Sequence, residues 1–128
     1  MRLLLDTHVL LWSLLAPDRL SPATADALRD PANVLLASAV SAWEIAIKQS
    51  LGKLTLPGPA DLWLPEACLS TGIDWLPVSP ADALAVTRLP WHHRDPFDRL
   101  LVAQVRGGLT LVTHDRAMAP YGVAVMWA

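Results

Sequence analysis

Arg2-Leu3-Leu4-Leu5-Asp6-Thr7-His8 stands near the start of the chain and decides how the rest is read. Three consecutive leucines leave no polar face, which suits a short strand buried on both sides. The run stops at an acid. Residues 8–15 then continue as an apolar helix, halted before Pro17. A buried strand passing directly into a helix is the first half of a β-α-β unit.

The same grammar repeats outward from that stretch. Ser21-Pro22 pairs a capping side chain with proline at the first helical position and opens a helix to about Asp30. Residues 34–37 read as a second strand. Ser38 caps a helix running to Leu51, with Gly52 where a C-terminal glycine belongs. Residues 60–70 are helical, and Trp75 to Val78 form a third strand. Ser79-Pro80 and Asp95-Pro96 repeat the cap signature, starting helices that end near Arg88 and at Gly107-Gly108. Leu109 to Val112 make a fourth strand, a short helix follows Asp115, and residues 123–126 make a fifth. Strands alternating with helices predict an α/β fold, with a mostly parallel sheet of four to five strands flanked by helices. The 128 residues suit a single domain, 1–128.

Composition narrows the class. At 53% hydrophobic and 17% charged, the chain is not disordered. It is apolar enough to expect that a partner covers part of its surface. Six of its eight aromatic residues are Trp, read here mainly as core filling. A lone Cys68 allows no internal disulfide and fits a reducing cytoplasm. No N-terminal signal is recognisable, and no uncharged run reaches the ~18 apolar residues of a membrane span. The net charge of -2 does not advertise nucleic acid. Arg88, Arg94, Arg99, Arg106 and Arg116 nevertheless fall in one stretch with His92, His93 and His114. That stretch forms either a local basic surface for phosphates or a set of solvated helix faces.

The acids carry the chemistry. In parallel sheets the site lies beyond the carboxyl ends of the strands, and Asp6 and Asp115 each follow a predicted strand. Either is also a good helix cap. Asp95, followed by Pro96, is a better one, and Asp98 then sits at the third helical position, near the positive end of the dipole. Glu44 stands four residues before Lys48, the order of a surface ion pair, yet its neighbours are Ala42, Trp43, Ile45, Ala46 and Ile47. An acid in so apolar a turn risks burial and needs a partner. Carboxylates converging in one pocket repel and take up protons unless cations are present. Hard divalent cations with oxygen ligands, Mg²⁺ or Mn²⁺, resolve this and suit phosphodiester hydrolysis.

Competing chemistries have less support. His92, His93 and His114 raise a zinc alternative, although adjacent histidines lack the usual helical spacing of zinc ligands. Gly107-Gly108 follows a predicted helix instead of leading into one, so it is no phosphate loop. No Gly-x-Ser-x-Gly elbow is present. Cys68 has no basic neighbour in sequence to activate its thiol.

Four stretches, taken together, resemble the PIN-domain ribonucleases, and within them the VapC-type toxins of bacterial toxin–antitoxin pairs. They are Leu4-Leu5-Asp6-Thr7-His8, Ser41-Ala42-Trp43-Glu44-Ile45, Asp95-Pro96-Phe97-Asp98-Arg99-Leu100-Leu101-Val102-Ala103-Gln104, and Val112-Thr113-His114-Asp115. The resemblance implies a PIN-like three-layer fold and cleavage of RNA with Mg²⁺ or Mn²⁺. It matches Asp6, Glu44, Asp98 and Asp115 to the family's four catalytic, metal-binding acids, with Asp95 an added acid whose share is open. Thr7 and Thr113 match small polar positions that hold a carboxylate or a water. It further implies a homodimer, a higher toxin–antitoxin assembly and a cognate antitoxin. Arg94, Arg99, Arg116 and His114 are the candidate RNA contacts. A binding module that keeps the fold without hydrolysis, and a DNA nuclease, remain open alternatives.

Overall fold

The computed structural model describes residues 1–128. Its centre is the leucine run, now strand β1 (Arg2–Leu5). Leu4 pairs with Leu36 of β2 (Val34–Ser38) on one side and Leu111 of β4 (Leu109–Thr113) on the other, both parallel. β3 (Ile73–Leu76) adds outside β2, and β5 (Val125–Trp127) outside β4. All five strands are parallel, in the order β3-β2-β1-β4-β5.

Alternation along β1 divides the core in two. Leu3 and Leu5 join Val9 and Leu10 of helix α1 (Thr7–Leu15), Ile45 of α3 (Ala39–Ser50), and Leu64 and Cys68 of α4 (Ala60–Ser70). Helix α2 (Pro22–Arg29) closes the edge of that layer with Ala25 and Leu28. Leu4 points the other way, with Leu101 and Val102 of α6 (Pro96–Gln104) and Met118 of the 3₁₀ segment Arg116–Tyr121. The short α5 (Pro80–Ala85) continues as a 3₁₀ turn to Arg88. The expected three layers are therefore present, and Gly52 follows α3 in the left-handed conformation (φ 71°).

Connections from β1 lead to β2 on one side, while β4 and β5 lie on the other. The order reverses between β1 and β4, and such a reversal opens a crevice at the carboxyl edge. The connection after β1 begins at Asp6, and the one after β4 contains Asp115.

Three boundaries differ from the sequence reading. β3 covers 73–76, not 75–78, because Ile73 enters the core and Pro77 lacks an N–H for the ladder. β5 covers 125–127 instead of 123–126. α6 stops at Gln104, whose buried amide turns onto the Pro77 carbonyl and Asp82 while accepting from the Ser38 hydroxyl. A larger correction concerns tryptophan. None of the six is fully buried, and Trp43 and Trp91 are 60% and 77% exposed. Leucine fills the core instead, with Trp12, Trp63, Phe97 and Tyr121 packed partly buried against it.

Leu4→Ala removes a side chain with no solvent exposure from the central strand and is expected to cost about 2–5 kcal/mol in urea unfolding. Leu62→Ala, on the exposed side of α4, is expected to stay within about 0.5 kcal/mol of wild type.

Candidate active site at the carboxyl edge of the sheet

Asp6 leaves the end of β1 nearly buried, and its two oxygens have different tasks. Oδ1 accepts from the Val9 N–H at 2.8 Å and caps α1. Oδ2 accepts from the Thr113 hydroxyl, at the end of the adjacent β4. Thr113 Oγ1 in turn accepts from the Asp115 N–H at 3.0 Å, so one hydroxyl couples the first and last acids. Thr7 does the parallel work for Glu44. Its Oγ1 donates to Glu44 Oε1 at 2.7 Å and, with its one proton engaged, accepts from Ser41 Oγ at 2.9 Å. Glu44 is only 3% exposed, and Lys48 Nζ meets its other oxygen at 2.5 Å. The ion pair expected from the spacing therefore exists, with its acid buried.

Asp95 caps α6, its Oδ1 accepting from the N–H groups of Phe97 (2.8 Å) and Asp98 (3.4 Å). Asp98 then projects toward His93, whose Nε2 is 3.2 Å from Asp98 Oδ2 and 2.9 Å from Asp115 Oδ2. Asp115 uses its other oxygen to cap the 3₁₀ segment through the Ala117 N–H at 3.0 Å. Asp6, Asp95 and Asp115 thus each cap a helical segment, and capping does not take them from the site: Asp115 converges with Asp98 and His93, and Asp6 and Asp95 act on Asp98. The two readings of these acids were never exclusive.

The electrostatics follow from the crowding. Burial raises the pKa of Asp6 against the lowering pull of Thr113 and the Val9 N–H. Asp98 is pushed up to about 7, first by burial and then by Asp95, with Glu44 and Asp6 adding to the rise and His93 opposing it. Asp115 shows the reverse outcome. Burial pulls upward, but the His93 hydrogen bond and the Ala117 N–H leave it below the ordinary range. Lys48 is raised by its bond to Glu44, with Asp95 and Asp98 contributing. These carboxylates feel one another, and their negative charge is only partly answered by Lys48 and His93. That is the environment a divalent cation with oxygen ligands fits. Asp6, Glu44, Asp95, Asp98 and Asp115 are the side chains available to it. The ligand atoms of Asp98, Asp115 and His93 already lie within 4.8 Å of one another.

Other candidates are placed elsewhere. Arg99 is the clearest correction: it is 3% exposed and gives its guanidinium to the carbonyls of Pro90, Val86 and Leu89, beneath the Trp91 ring. It cannot meet a phosphate from there. Arg94 and Arg116 are exposed, Arg116 lying over Trp127. His114 is exposed beside Trp12, and His92 lies against Tyr121. A three-histidine zinc site is therefore not assembled, since only His93 reaches the acids. Burial pushes the Cys68 thiol up to about 11, which keeps it protonated at neutral pH. A cavity of about 480 Å³ is lined by residues that include Leu20, Leu28, Leu35 and Ile73 and contains none of the acids. In sequence His93 has no role apart from that of His92, in a stretch that reads equally as a phosphate-facing surface or as solvated residues, since nothing local distinguishes the two.

A parallel three-layer fold with clustered acids at its carboxyl edge defines the class. The chain belongs to the PIN domain family, whose model matches residues 3–123. It is 33% identical to Ribonuclease VapC22 of Mycobacterium tuberculosis (strain ATCC 25618 / H37Rv) over 117 residues, 90% of this chain and 88% of that one. Its fold is similar to that of the VapBC2 complex from Rickettsia felis bound to a promoter DNA fragment. That match has a TM-score of 0.69 at 12% identity and covers 98% of each chain. A second similar structure, FitAB bound to an IR36 DNA fragment, gives a TM-score of 0.60 at 19% identity, covering 97% of this chain and 93% of that one.

Asp98 generates a pH prediction. An acid whose pKa is higher folded than unfolded disfavours the fold once it ionises. Stability of the metal-free protein should therefore fall as pH rises from the ordinary carboxylate range through about 7. Asp98→Asn removes that cost. In EDTA at pH 8 it is expected to melt higher than wild type by about 3–6 °C, for ~1 kcal/mol. The gap should close near pH 4, where Asp98 is protonated. An equal or lower melting point at pH 8 would contradict the crowding described above.

Proposed function

We propose that this chain is a metal-dependent endoribonuclease that hydrolyses RNA phosphodiester bonds and acts as the toxin of a VapBC-type pair. What supports the reading is the arrangement of acids from four separate parts of the chain: Asp98 and Asp115 converge with His93, Thr113 ties Asp6 to Asp115, and Asp95, Glu44 and Asp6 act on Asp98. The relative named Ribonuclease VapC22 supports it, and the fold shared with VapBC2 agrees with it.

In this reading Mg²⁺ or Mn²⁺, when bound, lowers the pKa of a water and offsets charge developing on phosphate oxygens. The rest is done by the chain. Asp6, Glu44, Asp98 and Asp115 are the catalytic acids, and Asp95 adds charge beside Asp98. Thr113 and Thr7 fix Asp6 and Glu44, so that little reorganisation is needed on loading. Arg94, Arg116 and His114 stand exposed where a phosphate backbone could meet them. Exposed Trp43, Leu62 and Leu69 supply apolar surface for a second copy and for an antitoxin. The setting that fits such a pair is the cytoplasm.

Purified protein is expected to cut RNA with Mn²⁺ or Mg²⁺ and to lose cleavage in EDTA. Asp6→Asn and Asp98→Asn are each expected to lose at least about 100-fold, by analogy with the loss on disturbing a metal site. Cleavage by the variants at wild-type rates would remove the assignment. A protein that binds RNA with equal affinity in all three forms and never cuts it is the inactive binding module instead.

Mn²⁺ should also raise the wild-type melting temperature, because a ligand of the native state stabilises it. Asp98→Asn should gain far less from the metal, despite its higher metal-free starting point. Equal metal-induced shifts would place the cation elsewhere.

A further inference from the structure

His93 has the appearance of a metal ligand, with Nε2 at 2.9 and 3.2 Å from two acid oxygens. Its other nitrogen argues otherwise. Nδ1 lies 3.1 Å from the backbone N of Asp95, and a backbone N–H can only donate. Nδ1 is therefore the unprotonated acceptor, and the proton of the neutral ring is on Nε2. A nitrogen that carries a proton has no lone pair for a cation. Metal-bound histidines show the reverse pattern, with the second ring nitrogen donating to a carbonyl or carboxylate.

The ring is also held in place. The His93 backbone N–H donates to the Tyr121 hydroxyl at 2.9 Å, and Arg99 Nη1 approaches the same oxygen at 3.4 Å. Arg99 also bonds the carbonyls of Val86, Leu89 and Pro90, so a buried guanidinium sets the path of the loop before Asp95. Its burial thus has a use: it fixes the segment that presents His93.

Resting on the ribonuclease reading, we infer that His93 is a positioning residue and not a metal ligand: its Nε2–H is bonded to Asp115 and faces Asp98 at 3.2 Å, and so sets the spacing of the two acids. The cation then meets oxygen ligands alone, which suits Mg²⁺ and Mn²⁺ and gives no imidazole advantage to softer metals. The side chain required at position 93 is a correctly placed N–H donor, and glutamine offers one at nearly the same reach.

The test uses Mn²⁺ as the probe, without RNA. Isothermal titration is expected to rank wild type and His93→Gln within about threefold of each other. His93→Ala should bind about 10–100-fold more weakly, the usual range for losing an outer-shell partner. Pulsed EPR of the Mn²⁺-loaded wild type should show no directly bound ¹⁴N that His93→Gln abolishes. Long-range ¹H–¹⁵N spectra of the metal-free protein should show the His93 proton on Nε2. A ¹⁴N coupling lost in His93→Gln, a proton on Nδ1, or Gln and Ala variants equally impaired would overturn the inference while leaving the nuclease reading intact. Failure of wild type to bind Mn²⁺ at all would instead sink that reading, and this one with it. Melting curves in EDTA verify that each variant is folded.

Discussion

Mutual repulsion among carboxylates in a half-dry pocket is the constraint around which this molecule is arranged. Negative side chains a few ångströms apart and away from water are unfavourable unless each finds a donor or a cation. The structure supplies donors one by one. Asp6 has the Val9 N–H and Thr113 hydroxyl, and Glu44 has Thr7 and Lys48. Asp95 has the first N–H groups of α6, and Asp115 has the Ala117 N–H and His93. A parallel sheet makes the gathering possible. It delivers β1 and β4 side by side, so two acids from distant parts of the chain leave the sheet at the same edge.

Helix capping and ion clustering are usually weighed as rival explanations of an acid near a helix start. Here they coincide because a carboxylate has two oxygens. Oδ1 of Asp6 and of Asp115 satisfies a backbone N–H, and Oδ2 turns toward the site. The cap also anchors the acid, so its free oxygen points in a set direction without a dedicated scaffold. The helix dipole adds to this by favouring negative charge at those same N-termini.

Much of this was legible in the sequence. Three leucines ending at Asp6 placed the central strand, and the repeated Ser-Pro and Asp-Pro signatures placed the helix starts. Glu44 among apolar neighbours read correctly as a buried acid, because a helix with so few polar positions leaves little solvent for it. What failed depended on partners remote in the chain. Burial of Arg99 follows from carbonyls at 86, 89 and 90 that turn inward, and no local pattern announces that turn. His93 differs from His92 only through the backbone of Asp95 and Tyr121 across the fold. The tryptophans misled because hydrophobicity was taken for burial. Leucines fill the fully buried positions, while Trp12 and Trp63 pack only partly buried against that core and Trp43 and Trp91 lie on the surface.

Among the acids, Asp98 has the least compensation. Its own N–H is given to Asp95, and its carboxylate lies 3.2 Å from His93 Nε2, whose hydrogen bond goes to Asp115. It also lies nearest in effect to the other charges, since Asp95, Glu44 and Asp6 all act to raise it. The charge that the protein's own donors leave unanswered therefore concentrates at one residue. Lys48 relieves it only at a distance, because that ammonium is bonded to Glu44. In the proposed metal-dependent reading, a cation gains most where compensation is poorest, so Asp98 is where its binding and fold stability are most directly opposed. A side chain there that suits the empty protein, such as a neutral amide, removes the very charge that would attract the ion.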